Sequence, residues 1–171
     1  MNEANDFVGA RRAVPLLNEL YQEVILDHNK RPRNFLRLPN ANATAHGRNP
    51  LCGDDYFLDL VLGAGGRIEK VGFEGSGCAI SKASCSMMTT LVEGKTVAEA
   101  EELKEHFIHL LTDKKLPTKS LEAVGRLKIF EGVRQFPVRV KCATLIWRAL
   151  EEALKDQNQR KTEISTEEET L

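Results

Sequence analysis

The sequence has no surplus of charge of either sign. Twenty-four Lys+Arg stand against 25 Asp+Glu, a formal net charge of −1. Nucleic-acid-binding domains ordinarily carry a strong basic excess, so no nucleic-acid partner is expected. Long apolar runs are missing as well. A membrane-crossing helix needs about 20 largely apolar residues, and no stretch here approaches that, so no membrane span is expected. The segment Arg11-Arg12-Ala13-Val14-Pro15-Leu16-Leu17 lacks the apolar core of an export signal and is followed at once by Asn18 and Glu19, which argues against a signal peptide. Cysteine is scarce: there are four, and no C-x-x-C pair. Without an export signal these thiols point to a reducing compartment, the cytoplasm. There they act as metal ligands, nucleophiles or small core residues rather than as disulfides.

What is present fits one globular domain: 171 residues, 42% hydrophobic and 29% charged, enough for a single core. Residues 1–14 are polar and without period and are expected to be flexible. Residues 15–156 carry the domain. Residues 157–171, with the acidic run Glu167 to Glu169, are expected to be disordered. A helical period begins at Leu16, with Leu17, Leu20, Tyr21, Val24, Ile25 and His28 on one face, and stops at Arg31-Pro32-Arg33-Asn34. Residues 34–50 read as irregular or weakly extended. Tyr56, Leu58, Leu60 and Leu62 alternate with their neighbours, Gly63 to Gly66 turn the chain, and Ile68 to Phe73 return, which predicts a hairpin. A second helix follows Gly75-Ser76-Gly77-Cys78, with Ile80, Ala83, Ser84, Met87 and Leu91 inward. Thr96-Val97-Ala98-Glu99 is a capping box that starts a third helix. A short helix is expected from about Ser120 to Lys128, and a long one from Pro137 to about Asp156. The expected fold is α+β: a small antiparallel sheet with helices packed on one face.

Three cysteines fall at junctions between these elements. Cys52 precedes Gly53-Asp54 just before the hairpin, Cys78 lies where a strand gives way to a helix, and Cys142 lies in the first turn of the last helix. Loops from different elements converge at one end of a fold, which is where a metal site is expected. Cys78 and Cys142 lie near helix N-termini, which favour the thiolate. Asp54, two residues after Cys52, points the same way in an extended segment. Three thiolates and one carboxylate are ligands of the kinds that zinc accepts in tetrahedral sites. Four anionic ligands around a divalent ion leave a net charge of about −2, which needs compensation. Arg139 and Lys141 are the neighbouring candidates. Cys85 lies seven residues into the helix after Cys78, roughly 10 Å along its axis, so it reads as a core or flanking cysteine. From spacing alone, a site shared by Cys52, Asp54, Cys78 and Cys142 remains an open possibility.

Longer stretches add to this. Leu20-Tyr21 through Asp27-His28, Lys30-Arg31-Pro32-Arg33-Asn34, Asn49-Pro50-Leu51-Cys52-Gly53-Asp54, Phe73-Glu74-Gly75-Ser76-Gly77-Cys78-Ala79-Ile80-Ser81, Ser84 to Thr89, and Phe136-Pro137-Val138-Arg139-Val140-Lys141-Cys142-Ala143-Thr144-Leu145 occur in this order. Together they resemble the IscU/NifU N-terminal family of iron–sulfur cluster assembly proteins over about residues 16–155. The long interval between Cys78 and Cys142, and Lys141 where IscU-type scaffolds carry histidine, resemble the SufU branch. The resemblance implies zinc held by Cys52, Asp54, Cys78 and Cys142. It also implies a sulfurtransferase that accepts persulfide sulfur from a cysteine desulfurase and serves a downstream cluster assembly scaffold. It further implies that Cys52 leaves the zinc to take the sulfur while a histidine of the desulfurase replaces it, and that Arg139 belongs to the partnership.

Two other functions compete. The first is a scaffold that builds a [2Fe–2S] cluster on the same residues. The second is a non-catalytic, zinc-stabilised interaction module. A cysteine hydrolase would need a cysteine–histidine pair, and His28, His46, His106 and His109 read as surface or satisfied residues. His28, Lys30, Arg31 and Arg33 form a basic cluster that reads either as a solvated helix end or, by the resemblance, as a docking surface for the desulfurase.

Overall fold

The computed structural model describes residues 18–113, 115–155 and 163–166. A helix over residues 18–30 (α1) leads through a loop to strands β1 (Ala43–Asn49), β2 (Asp54–Leu62) and β3 (Ile68–Ser76). Helices α2 (Ala79–Val92), α3 (Val97–Thr112) and α4 (Thr118–Val124) follow. A 3-10 helix, Gly125–Gln135, then leads into α5 (Pro137–Leu154). Ile164–Ser165 form a short strand, β4. The sheet order is β3-β2-β1-β4, with β1–β2 and β2–β3 antiparallel and β4 parallel to β1. This is the expected α+β architecture. No helix among the described residues is long and apolar enough to cross a membrane.

The hairpin forms as its alternation predicts. Tyr56, Leu58 and Leu60 are buried on one face, and a 3-10 turn at Ala64–Gly66 reverses the chain. The capping box also forms: the Thr96 side chain accepts from Glu99 N–H and the Glu99 carboxylate accepts from Thr96 N–H. Pro137 opens α5 at its first turn, where a missing N–H costs nothing.

Strand β1 corrects the irregular reading of residues 34–50. Its inward residues are Ala43, Ala45 and Gly47, small because α5 lies directly on them. A Cβ on Gly47 would stand 3.2 Å from Leu145 Cδ1. Helix α2 is buried on more sides than its apolar stripe suggests. Ser81, Ser84, Ser86 and Thr89 are buried along with Ala83, Cys85, Met87, Met88 and Val92, while Ile80 and Leu91 are half-exposed. Each buried hydroxyl has a partner, as burial demands. Ser84 donates to the Ala143 carbonyl at 2.6 Å and accepts from Trp147 Nε1 at 3.1 Å, tying α2 to α5. Trp147 packs on Phe107 with centroids 4.8 Å apart, and Phe107 meets Phe130 edge-on at 5.6 Å.

The short helix expected at 120–128 ends at Val124, and the chain continues as the 3-10 helix past Gly132. Residues 1–17 lie outside the described residues, so the flexible start and the Leu16 and Leu17 positions are not placed. Leu20, expected inward, is exposed. Of the tail read as disordered, residues 163–166 are instead ordered against β1, and the rest lies outside the described residues.

Helix α1 is anchored at His28, which is buried, with Nδ1 2.7 Å from Ser86 Oγ. Burial, with help from the Arg33 charge, holds this imidazole below its usual 6.5. The group therefore stabilises the fold fully above its ordinary value, and that contribution is lost as pH falls through the lowered one. Amide protection over residues 18–30 should drop between about pH 7 and pH 5, ahead of the sheet. His28→Ala should show low protection at both. Trp147→Ala should lower unfolding free energy in urea by about 3–5 kcal/mol, because it empties the centre of the helical layer.

Candidate metal centre

The turn between β1 and β2 carries Cys52, and Asp54 opens β2, with Gly53 between them in the left-handed region (φ 71°) that glycine adopts without strain. The start of α2 carries Cys78 as its N-cap, and the first turns of α5 carry Arg139, Lys141 and Cys142. The antiparallel pairing of β1 with β2 and the packing of α5 across β1 bring these segments together. The sulfurs of Cys52 and Cys142 and a carboxylate oxygen of Asp54 all lie within 4.8 Å of one another. Cys78 stands outside this tightest set, but its thiol and that of Cys142 influence each other's ionisation. The expected convergence at one end of the fold is therefore present, with Cys142 at its centre.

Asp54 is buried, and three donors hold its carboxylate. Cys78 N–H and the Ser81 hydroxyl donate to Oδ1, each at 2.9 Å, and Asn49 Nδ2 donates to Oδ2 at 3.2 Å. These bonds offset the loss of water around the charge. Asn49 Nδ2 also reaches Cys142 Sγ at 3.4 Å. Tyr56 Oη lies 3.1 Å from Ser81 Oγ beneath the site. Gly77 is required by space: a Cβ there would strike Asp54 Oδ1 and the hydroxyls of Ser81 and Tyr56. Asn49, Ser81 and Tyr56 were not singled out as site residues from the sequence. Ser81 carried a signal, three residues after an N-cap cysteine, where its N–H meets the cap at 3.4 Å.

The four thiols differ in burial, and Cys78, Cys85 and Cys142 differ in ionisation. Cys142 is 1% exposed, whereas Cys52 and Cys78 are partly open. The Cys142 thiol lowers Cys78 to about 6 against the opposition of burial, and Ser81 N–H, at 3.4 Å from the sulfur, adds to the effect. Cys142 is driven the other way, by the negative Cys78, by burial, and by neighbouring Cys52 and Asp54. The pair therefore takes its first negative charge on Cys78. Adding further negative charge calls for a cation among the sulfurs. This donor set, rich in sulfur with one carboxylate, has the chemistry of a zinc site. Cys85 is apart from it: fully buried in the core, its thiol pushed well up by burial.

Arg139 is exposed, and its guanidinium feels the charge of Cys78 first, and that of Cys142 and Cys52. Lys141, two residues on, reaches the carbonyl of Thr166 at 3.5 Å. Residues two apart on a helix do not face the same way. The site opens through Cys52 onto a groove of about 630 Å³ walled by Leu51, Phe136, Pro137, Val138 and Arg139. Leu51 and Phe136 are 67% and 59% exposed, large apolar side chains at the rim of a polar centre. In the basic cluster at the end of α1, Arg31 and Arg33 both pair with Asp27, at 2.6 and 2.8 Å, so part of its charge is neutralised internally.

Comparison with known proteins agrees with this geometry. The family model of the NifU-like N terminal domain matches residues 20–143. The chain belongs to the NifU-like N-terminal family. It is 41% identical over 138 residues to the zinc-dependent sulfurtransferase SufU of Bacillus subtilis (strain 168), covering 81% of this chain and 91% of that one. It is 40% identical over 143 residues to the iron–sulfur cluster assembly scaffold protein IscU of Streptococcus pyogenes serotype M1, covering 84% and 87%. Among solved structures, a putative iron–sulfur cluster assembly scaffold protein for the SUF system from Fervidobacterium islandicum AW-1 superposes with a TM-score of 0.71. It has 37% identity and covers 78% of this chain and 95% of that one. Relatives of nearly equal identity thus carry two different functional names. The family relationship alone does not choose between them.

The opposite shifts of Cys78 and Cys142 give a direct test of the metal-free site. Alkylation of Cys78 by a small electrophile should rise with pH through about 6, as its thiolate forms. Cys142 should stay slow at neutral pH. Peptide mapping of the alkylated protein reads both rates. Equal rates at Cys78 and Cys142 would contradict the arrangement.

Proposed function

We propose that this NifU-like protein is a zinc-dependent sulfur acceptor of iron–sulfur cluster assembly, taking persulfide sulfur from a cysteine desulfurase. The observation that carries the reading is the asymmetry of the thiols. Cys142 is sealed in the fold, while Cys52 sits on a turn at the mouth of an open groove. Cys52, Asp54, Cys78 and Cys142 are the residues that hold zinc in this reading. When bound, zinc keeps the coordinated thiols deprotonated without redox chemistry of its own.

The protein's own residues do the remaining work. The Cys52 thiolate attacks the outer sulfur of the donor's persulfide. The donor's S–S bond breaks, its thiolate leaves, and the transferred sulfur with its proton ends as a Cys52 persulfide. Arg139, beside the thiol cluster, offsets negative charge as the two sulfurs approach. Leu51, Phe136 and Val138 give the desulfurase an apolar rim to pack on, which keeps water from the exchanging sulfurs. A downstream cluster assembly scaffold then consumes the sulfur. The four free thiols suit a reducing compartment, in keeping with a cytoplasmic role.

The second reading, a scaffold that builds a [2Fe–2S] cluster on the same ligands, is favoured by the name of the Streptococcus relative. Lys141, directed to Thr166, leaves no histidine beside Cys142 to join such a cluster. The two readings separate on purified protein. Anaerobically purified protein should be colourless with one zinc per chain. Cys52→Ala should stay folded yet abolish stimulation of the desulfurase. A coloured cluster that passes intact to an apo-acceptor would overturn the sulfur-transfer reading. Undiminished stimulation by folded Cys52→Ala would support a purely structural zinc module.

A further inference from the structure

The short segment at residues 163–166 ends beside the thiol cluster. Ile164 and Ser165 pair in parallel with Gly47 and Arg48 at the edge of β1. Two paired residues are too few to hold by themselves, and side chains supply the rest. Glu163 meets His46 Nδ1 at 3.1 Å and Arg48 Nη1 at 3.5 Å. His46 is gripped on its other nitrogen by Asp55 Oδ1 at 2.6 Å and stacks on Phe57 with centroids 4.1 Å apart. This clasp joins the segment to both β1 and β2.

The residue after the strand reaches the site. Thr166 is 4% exposed, and its hydroxyl donates to Asn49 Oδ1 at 2.9 Å. Its carbonyl accepts from Lys141 Nζ at 3.5 Å. Asn49 is fully buried, and its amide nitrogen serves Asp54 Oδ2 and Cys142 Sγ. The amide is planar, so a donor fixed on its oxygen also fixes the direction of its N–H bonds. An edge strand that served stability alone would need no hydroxyl at this position. Valine would fill the space and leave the buried Asn49 oxygen without its donor.

We propose that Glu163–Thr166 is a strap that completes the thiol site, with Thr166 a positioning residue that acts through Asn49 on Asp54 and Cys142. The inference rests on the reading of those two residues as metal ligands. It adds that a segment beyond the matched family region tunes how tightly the metal is held and how accessible the Cys142 sulfur is. Outer hydrogen-bond partners of ligands ordinarily change metal affinity by about 10–100-fold.

The test uses the full chain with Thr166→Val, Thr166→Ser and Glu163→Ala. Zinc affinity is read by competition with a chromophoric chelator. Alkylation of Cys142 in the metal-free protein is read by peptide mapping. Thr166→Val should bind zinc about tenfold more weakly and expose Cys142 to faster alkylation. Thr166→Ser should restore both readouts. Glu163→Ala should move both in the same direction by less. Wild-type behaviour of Thr166→Val in both readouts would overturn the proposal, as would impairment of Thr166→Ser equal to that of Thr166→Val. Should Thr166→Val fail to fold, an unchanged Glu163→Ala overturns it and a shifted one supports it. If the wild type itself holds no zinc, the metal reading fails, and the alkylation rates still decide the strap.

Discussion

A carboxylate taken out of water has to be met by hydrogen-bond donors, and Asp54 meets its requirement from two separate parts of the chain. Asn49 at the end of β1 supplies one donor; Cys78 and Ser81 at the start of α2 supply the other two. Satisfying this one side chain therefore fixes the end of the sheet against the end of a helix. It also sets where Cys52 and Cys78 stand, since each is a near neighbour of Asp54 or of its donors. Gly77 is the steric counterpart, leaving the space that the carboxylate and the two hydroxyls share. The thiol cluster is built around a pre-satisfied anion, and Cys142 completes it from α5.

That arrangement divides labour between the thiols by burial. Cys142 is shielded by helix and sheet, its thiol donating to the Val138 carbonyl within α5, so it suits a permanent ligand in the proposed function. Cys52 sits on a four-residue turn with an exposed leucine before it and a glycine after it, so it has room to move without disturbing the core. The apolar rim lies on that open side, and Arg139 provides positive charge next to the sulfurs. A sulfur-accepting thiol needs access, a route for charge and a surface for a donor protein. These three features coincide at Cys52.

Much of this was legible in residue order. The hairpin followed from alternation at Tyr56, Leu58 and Leu60, α3 from its capping box, and α5 from Pro137 and its apolar period. The three junction cysteines pointed to one end of the fold. Strand β1 was not legible, because its inward residues are alanines and a glycine. Their smallness reflects the close approach of α5, a long-range fact that no local pattern carries. Helix α2 misled in a related way. Of its hydroxyl residues only Ser84 was expected inward, yet Ser86 and Thr89 are buried as well, because His28, Arg33 and Asn34 supply partners from distant segments, as Trp147 does for Ser84. The strap at 163–166 was hidden by its acidic, polar composition. Its order comes from side-chain clasps to His46, Arg48 and Asn49 rather than from apolar burial.

Sequence alone determined the β2–β3 hairpin, the main helices and their order, and which thiols lie at junctions. Those properties depend on periodicity, capping and turn chemistry, which act over a few residues. Only the tertiary structure decided which donors face one another. It placed Cys142 at the centre, gave Asp54 its three partners, and turned Arg139 toward the sulfurs and Lys141 toward the strap. It also brought Thr166 to Asn49, 117 residues away along the chain. Such contacts depend on the register of β1 with β2 and on the close seat of α5 over Gly47. Both are set by packing of the whole core, to which each residue contributes only part.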